Sequence, residues 1–202
     1  GGTSDVAVIG IKARGHRMVV EKERVKDVWV EATLRGRQLD ATLVRAHVAR
    51  GELLLRGRYH LDDKTVDGTL DASGLWLREL KAVDARGLDG VLGLHVQAKG
   101  PLAAPAGEAL VLITDLGRGT TQAGAARLEV TSDGKEALAT LAVPGARVTA
   151  RGRYTFARKE GVLDATVDQA DLGLVTALTP GLPVVDGVLT AGVQAQGKVD
   201  DP

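Results

Sequence analysis

The sequence predicts an all-β chain, an antiparallel meander with one apolar and one polar face. Three observations carry this reading. Apolar residues alternate with charged residues or Thr along nearly the whole length. Turn signals recur every eight to twelve residues, the spacing of hairpin-connected strands. The ten-residue helical patterns that a parallel αβ arrangement needs between its strands are missing.

Taken in order, VWVEATL at 28–34 puts Val28, Val30, Ala32 and Leu34 on one face, and QLDATLV at 38–44 does the same for Leu39, Ala41 and Leu43. In ELLLRGRYHL, Leu53, Leu55, Tyr59 and Leu61 oppose Glu52, Arg56, Arg58 and His60. VLGLHVQA at 91–98 aligns Leu92, Leu94, Val96 and Ala98. ARVTARGRYTF separates Val148, Ala150, Tyr154 and Phe156 from Arg147, Thr149, Arg151 and Arg153. Leu163 and Val167 fall on the apolar side of the next stretch, and Leu189, Ala191, Val193 and Ala195 on that of the last. The turns between strands include DDKTVDG at 62–68, SDGKE at 132–136, VPGA at 143–146 and RKEG at 158–161. Two segments break the alternation, SGLWLREL at 73–80 and DLGLVTALTPGL at 171–182. Ser73 and Asp171 have the chemistry of N-caps, and Pro180 with Gly181 ends the second segment, so short helices are expected over 74–80 and 171–179. The alternative for 74–80 is a continuing strand.

The chain repeats itself. RGRY stands at 56–59 and again at 151–154, 95 residues apart, and DGVL at 89–92 and 186–189, 97 apart. Two matches in the same order imply a unit of about 95–97 residues, the signature of units stacked on their neighbours. The expected organisation is a first unit over 28–105 and a second over 106–202, preceded by weakly matching strands at 1–27. Gly1 and Gly2 in place of an initiator Met suggest a piece cut from a longer protein.

Composition narrows the function. Hydrophobic residues are 44% of the chain but aromatics only 2%, so any apolar surface is Val, Leu, Ile and Ala. Twenty-six basic residues balance 26 acidic ones, which leaves no basic field for a phosphate backbone. Nucleic acid is not an expected partner. With no Cys, disulfides and thiol chemistry are excluded. No apolar run reaches the 18 or so residues of a membrane helix. The longest is ALVLI at 109–113.

Catalytic and metal patterns are lacking. His16, His47, His60 and His95 show no ligand spacing, and Asp62, Asp63, Asp67 and Asp71 lack the arrangement of a calcium loop and read as turn formers. Ser4, Ser73 and Ser132 sit in no nucleophile elbow. GRGTTQAG at 117–124 lacks the GK[ST] ending of a phosphate loop and reads as a strand connection. The few aromatics, Trp29, Trp76, Tyr59, Tyr154 and Phe156, do not make a stacking platform. No enzyme activity and no cofactor are expected.

A Leu-rich segment ending in Pro, then GxLxxxxxxxG and another Pro, runs through DLGLVTALTPGLPVVDGVLTAGVQAQGKVDDP. DGVLGLHVQAKGPLAAP and RGRYHLDDKTVDGTLDASGLWL follow the same idiom. This pattern resembles the repeats of the TamB translocation and assembly module proteins, within the wider AsmA-like group, over most of residues 28–202. The resemblance implies an elongated, curved antiparallel β-sheet, a β-taco or repeating β-groove, with an apolar concave face. It also implies a periplasmic location in a parent anchored in the bacterial inner membrane, and a role in phospholipid transfer between the two membranes. Outer-membrane protein assembly, through a barrel partner bound by other parts of the parent, is linked to the family as well. The expected ligand is the phospholipid acyl chain. Its candidate groove lining is Val28, Val30, Leu34, Leu39, Leu43, Leu53, Leu55, Tyr59, Leu92, Leu94, Val96, Val148, Tyr154, Phe156, Leu163, Val167, Leu189 and Val193. A one-sided apolar sheet also fits a structural or adhesive β-sandwich module, which would cover that face with a second sheet.

Overall fold

A computed structural model describes residues 7–20, 23–81, 87–178, 185 and 187–198. The described residues form one antiparallel sheet of twelve strands in strict sequence order, curved and unclosed. The strands are β1 (Val8–Val20), β2 (Glu23–Arg35), β3 (Gln38–Val48), β4 (Gly51–His60), β5 (Thr65–Trp76) and β6 (Asp89–Pro101). They continue as β7 (Ala106–Arg118), β8 (Thr121–Asp133), β9 (Glu136–Val143), β10 (Val148–Thr155), β11 (Glu160–Asp171) and β12 (Val188–Lys198). An α-helix, α1, covers Leu172–Leu178.

Alternation in the sequence becomes sidedness because residues paired across antiparallel strands lie on the same face. Between tight hairpins, the ladder carries that face from each strand to the next. Asp63 and Asp133 build two of these hairpins. Asp63 accepts hydrogen bonds from the Thr65 hydroxyl at 2.8 Å and the Thr65 amide at 3.2 Å. Asp133 accepts from the amides of Lys135 at 2.7 Å and Glu136 at 2.8 Å.

Irregularities concentrate along one edge of the sheet. Arg17, Gly74, Asp115 and Gln169 all have positive φ near the same ends of β1, β5, β7 and β11. The pairing register shifts beside three of them, between Ala72 and Leu75, Ile113 and Leu116, and Val167 and Ala170. Bulges bend a strand and increase its twist, so a line of them folds this edge into a lip. What little core exists lies there. Val25, Val48, Ala49, Ala72 and Leu75 form one buried cluster, with Leu80 packed on it. Ala123, Ala146 and Leu174 form the other, against Leu116, Val143 and Val148.

The two helical expectations resolve differently. Residues 74–80 are not a helix: β5 runs on to Trp76, and only Leu77–Glu79 make a 3₁₀ turn. Ser73 pairs with Glu52 within the ladder, so its backbone is extended and it caps nothing. The helix at 171–179 forms as α1, and Asp171 caps it by accepting from the Gly173 amide at 2.8 Å. Residue 179 lies outside the described residues.

A similar succession of elements occurs in the two halves of the chain. β4, β5 and β6 occupy in the first half the places that β10, β11 and β12 occupy in the second, with a helical segment after β5 and after β11. Working back, β1 and β2 stand where β7 and β8 stand. All four are thirteen residues long, at an offset of 98, and the positive-φ Arg17 matches the positive-φ Asp115. The lengths of the first two strands thus match those of β7 and β8.

Close approach across the sheet rests on small residues. Gly107 has φ +146°, and a Cβ there would lie 2.0 Å from the carbonyl oxygen of Gln97. Gly107→Ala is expected to cost about 1–3 kcal/mol, whereas Gly192→Ala, with nothing within 4 Å of the added Cβ, should be nearly neutral. Urea unfolding of the two variants, side by side, checks this.

Candidate functional site: an apolar trough

Following Cα partners from strand to strand gives rows that cross the whole sheet. One row runs Ala13, Val30, Val44, Leu55, Leu70, Val96, Ala109, Val130, Ala139, Gly152, Leu163, Ala195. The row beside it runs Gly15, Val28, Ala46, Leu53, Ala72, Leu94, Val111, Leu128, Leu141, Ala150, Ala165, Val193. Neither contains a polar side chain. A third row, from Ile11 to Gly197, is Gly, Ala and Ser between and beyond Ile11 and Tyr154, with Ser132 and Tyr154 as its only hydroxyls. At about 4.8 Å per strand the apolar surface extends roughly 50 Å.

No second layer covers it among the described residues. None of the described large side chains is fully buried, and Leu55 and Leu163 remain 42% and 44% exposed although each has a strand on both sides in the first row. Yet from Ala126 onward along β8, β9 and β10 the apolar-face positions are at least half-buried, while their polar-face neighbours other than Ala142 and Thr155 are exposed. Shelter without a covering layer is what a sheet curved toward its apolar face produces. The result is an open trough.

Helical segments close parts of the bulged lip. α1 leaves β11 and reaches back to touch β8 and β7, with Leu174 seated on Ala123 and Ala146. The Leu172 amide donates to the Gly187 carbonyl at 2.9 Å, tying the helix start to the chain entering β12. The 3₁₀ turn does the corresponding work in the first unit, with Leu77 buried and Arg50 paired to Glu79 at 2.5 Å. Both Arg50 and Arg78 stack on Trp76, at 4.9 and 4.4 Å from the ring centre. A depression of about 1230 Å³ lies between this turn and the bulged ends of β1 and β2. Its walls carry Arg17, Arg24, Lys26, Asp27, Arg78 and Glu79, so it is a wet cleft at the lip, distinct from the apolar rows.

The other face is charged and paired across strands. Arg58 donates to Asp67 at 2.8 Å, Lys12 lies 3.6 Å from Glu31 and Arg45 lies 2.7 Å from Glu52. His95 and His16 hydrogen-bond Asp71 and Asp27 at 2.6 and 2.5 Å. Such exposed pairs add little stability each, but they keep this side wet. Arg14 lies over Trp29, 5.6 Å from the ring centre.

Sixteen of the eighteen residues singled out from the sequence lie on strands facing the trough. Val28, Val30, Leu34, Leu39, Leu53, Leu55, Tyr59, Leu92, Leu94, Val96, Val148, Tyr154, Leu163, Val167, Leu189 and Val193 share that face by register. Leu43 does not. Thr42 and Leu43 together oppose Arg56, and this bulge turns Leu43 to the charged side, opposite Glu31. Phe156 lies beyond β10, in the hairpin turn, where its ring meets Tyr154 edge-on at 5.3 Å. The trough also contains Ile9, Ile11, Leu70, Val111, Leu128 and Leu141, which were not singled out. The alternation in ALVLITDL and RLEVTSD was the available signal for Val111 and Leu128.

Comparison of the chain with family models, with curated proteins and with solved structures gives no match. Among the described residues no three His, Asp or Glu side chains are placed to hold a metal ion.

The titrating groups with displaced pKa values sit on hairpins. Hydrogen bonds from the Glu136 and Lys135 amides hold the Asp133 carboxyl below its ordinary 3.8, and the Thr65 hydroxyl does the same for Asp63. A lowered folded-state pKa adds stability above the ordinary value, and that contribution is lost as pH falls from 3.8 through the lowered value. The Lys135 and Glu136 amide resonances should therefore shift in that acid window. Asp133→Asn should abolish the shift, and amides of the apolar rows should stay still.

Proposed function

We propose that this chain is a segment of a lipid-conducting groove in which the trough shelters phospholipid acyl chains on their way between two membranes of a bacterial envelope. The observation that carries the reading is the pair of rows crossing all twelve strands without a polar side chain, on a face that no second layer covers. A large exposed apolar surface needs an occupant. An acyl chain suits this one because Val, Leu and Ala side chains offer apolar contact without directional bonds. At roughly 0.8 kcal/mol per buried CH₂, a sixteen-carbon chain gains on the order of 12 kcal/mol of shelter.

Rows that continue unchanged from strand to strand present a tail with the same surroundings at each step, so a tail can slide. The charged outer face keeps the segment in water. The resemblance of the repeats to TamB-like proteins supports the same reading, with the periplasm as the place, and with an outer-membrane barrel as a partner of the parent through regions outside this chain. Binding and conduction require no catalytic group.

The test is direct. Organic extraction of the purified chain should yield co-purified phospholipid, and a fluorescent phospholipid should bind it. Leu55→Arg and Val96→Arg, which put a cation into the first row, should each weaken that binding at least about tenfold, the equivalent of 1.4 kcal/mol. Arg58→Glu, on the opposite face, should leave it unchanged. Absence of lipid, or equal loss in all three variants, would count against a conducting groove and favour a structural or adhesive module.

A further inference from the structure

Charges on the outer face are met by partners across the strands, but those around the wet cleft at the lip are out of balance. Among its described wall residues five are Arg or Lys and two are acidic. Both acids are already engaged, since Asp27 hydrogen-bonds His16 at 2.5 Å and Glu79 pairs with Arg50 at 2.5 Å. Arg17, Arg24 and Lys26 make no ion pair among the described residues. A recess lined by one sign of charge concentrates counter-ions, and this one stands out in a chain whose 26 basic and 26 acidic residues cancel.

The fold does not require these cations. β7 and β8 match β1 and β2 in length at an offset of 98, and Val25 and Ala123 are both buried. Yet where β1 and β2 carry Arg17, Arg24 and Lys26, the matching positions carry Asp115, Gln122 and Gly124. Part of the cleft wall is apolar and joins the trough. Val25 and Ala49 line it, and they belong to the buried cluster on which Val28, Ala46 and Leu53 of the second row pack.

We infer that the cleft seats a phosphate group, that of an anionic phospholipid whose tails lie in the trough, which rests on the trough carrying acyl chains. Such a lipid joins a charged phosphate to apolar tails, and the lip sets a cationic recess directly against the apolar rows. Guanidinium groups match phosphate oxygens in pairs, and an ammonium such as that of Lys26 adds a point charge. Arg78, 3.6 Å from Asp89 and stacked 4.4 Å from the centre of the Trp76 ring, offers a guanidinium already held in place. A zwitterionic head group brings a cation of its own to the same recess and is repelled by it. The cleft therefore selects among lipids that the trough treats alike.

The experiment titrates the full chain, stripped of lipid, with fluorescent phosphatidylglycerol and with fluorescent phosphatidylcholine carrying the same tails. At low salt the anionic lipid should bind at least about tenfold more tightly, and the difference should shrink as added salt screens it. Arg24→Gln with Lys26→Gln, both exposed side chains, should bring phosphatidylglycerol down to the level of phosphatidylcholine and leave the latter unchanged. Arg151→Gln with Arg153→Gln removes the same charge from exposed positions of β10 and should leave the preference intact. Inorganic phosphate at matched ionic strength, lacking tails, should compete far less well than unlabelled phosphatidylglycerol. Equal binding of the two lipids by the unaltered chain, a preference that survives Arg24→Gln with Lys26→Gln, or its loss in both double variants alike would overturn the head-group seat and leave the trough standing. Inorganic phosphate competing as well as the lipid would assign the cleft to a free phosphate and overturn the head group as its source. If neither lipid binds, the trough reading and this one fall together.

Discussion

Register is the constraint on which everything else here depends. A single sheet with no second layer has no packed interior to choose between alternative pairings, and a slip of one residue would exchange its two faces. The molecule meets this demand with short hairpins. Except between β5 and β6 and between β11 and β12, each strand is tied to the next through a few residues, and aspartate caps at two of those turns fix the local pairing. The apolar rows follow as a consequence, since twelve strands that each keep their sidedness must together present one surface.

Curvature is the second requirement, and it is met mostly by backbone geometry. The bulges along one edge place Arg17, Asp115 and Gln169, none of them glycine, in the left-handed region. That conformation costs free energy at each position, and it recurs in equivalent strands of the two units. The lip it makes is where the two small clusters and both helical segments gather. Bending and shelter are therefore produced at one edge, and the rest of the sheet is left free to present an unobstructed apolar surface.

Much of this was legible in the sequence. Period-two alternation assigns faces directly, because a strand has only two, and it placed residues as far apart as Val28 and Val193 correctly on the same side. What escaped were the departures from period two. Nothing in ATLVRA marks Thr42 as an extra residue, so Leu43 reads as inward when the bulge turns it outward. Residues 74–80 after Ser73 read as a short helix, yet the ladder to β6 holds the backbone extended through Trp76. The likeness of β1 to β7 was hidden for a different reason. Equivalent positions such as Ile9 and Gly107 share a face and a register but no side-chain chemistry, so only the backbone shows the match.

The meander order of the strands has one more consequence, for how the molecule forms and fails. Every strand pairs only with its neighbours in sequence, so the contacts that build the sheet are local and loop closure is inexpensive at each step. Folding can start at any hairpin and grow outward in both directions, as in other linear arrays. Tension applied between the two ends of the chain meets the sheet one strand at a time. It would peel the ladder open in sequence, like a zip, instead of having to shear twelve strands at once.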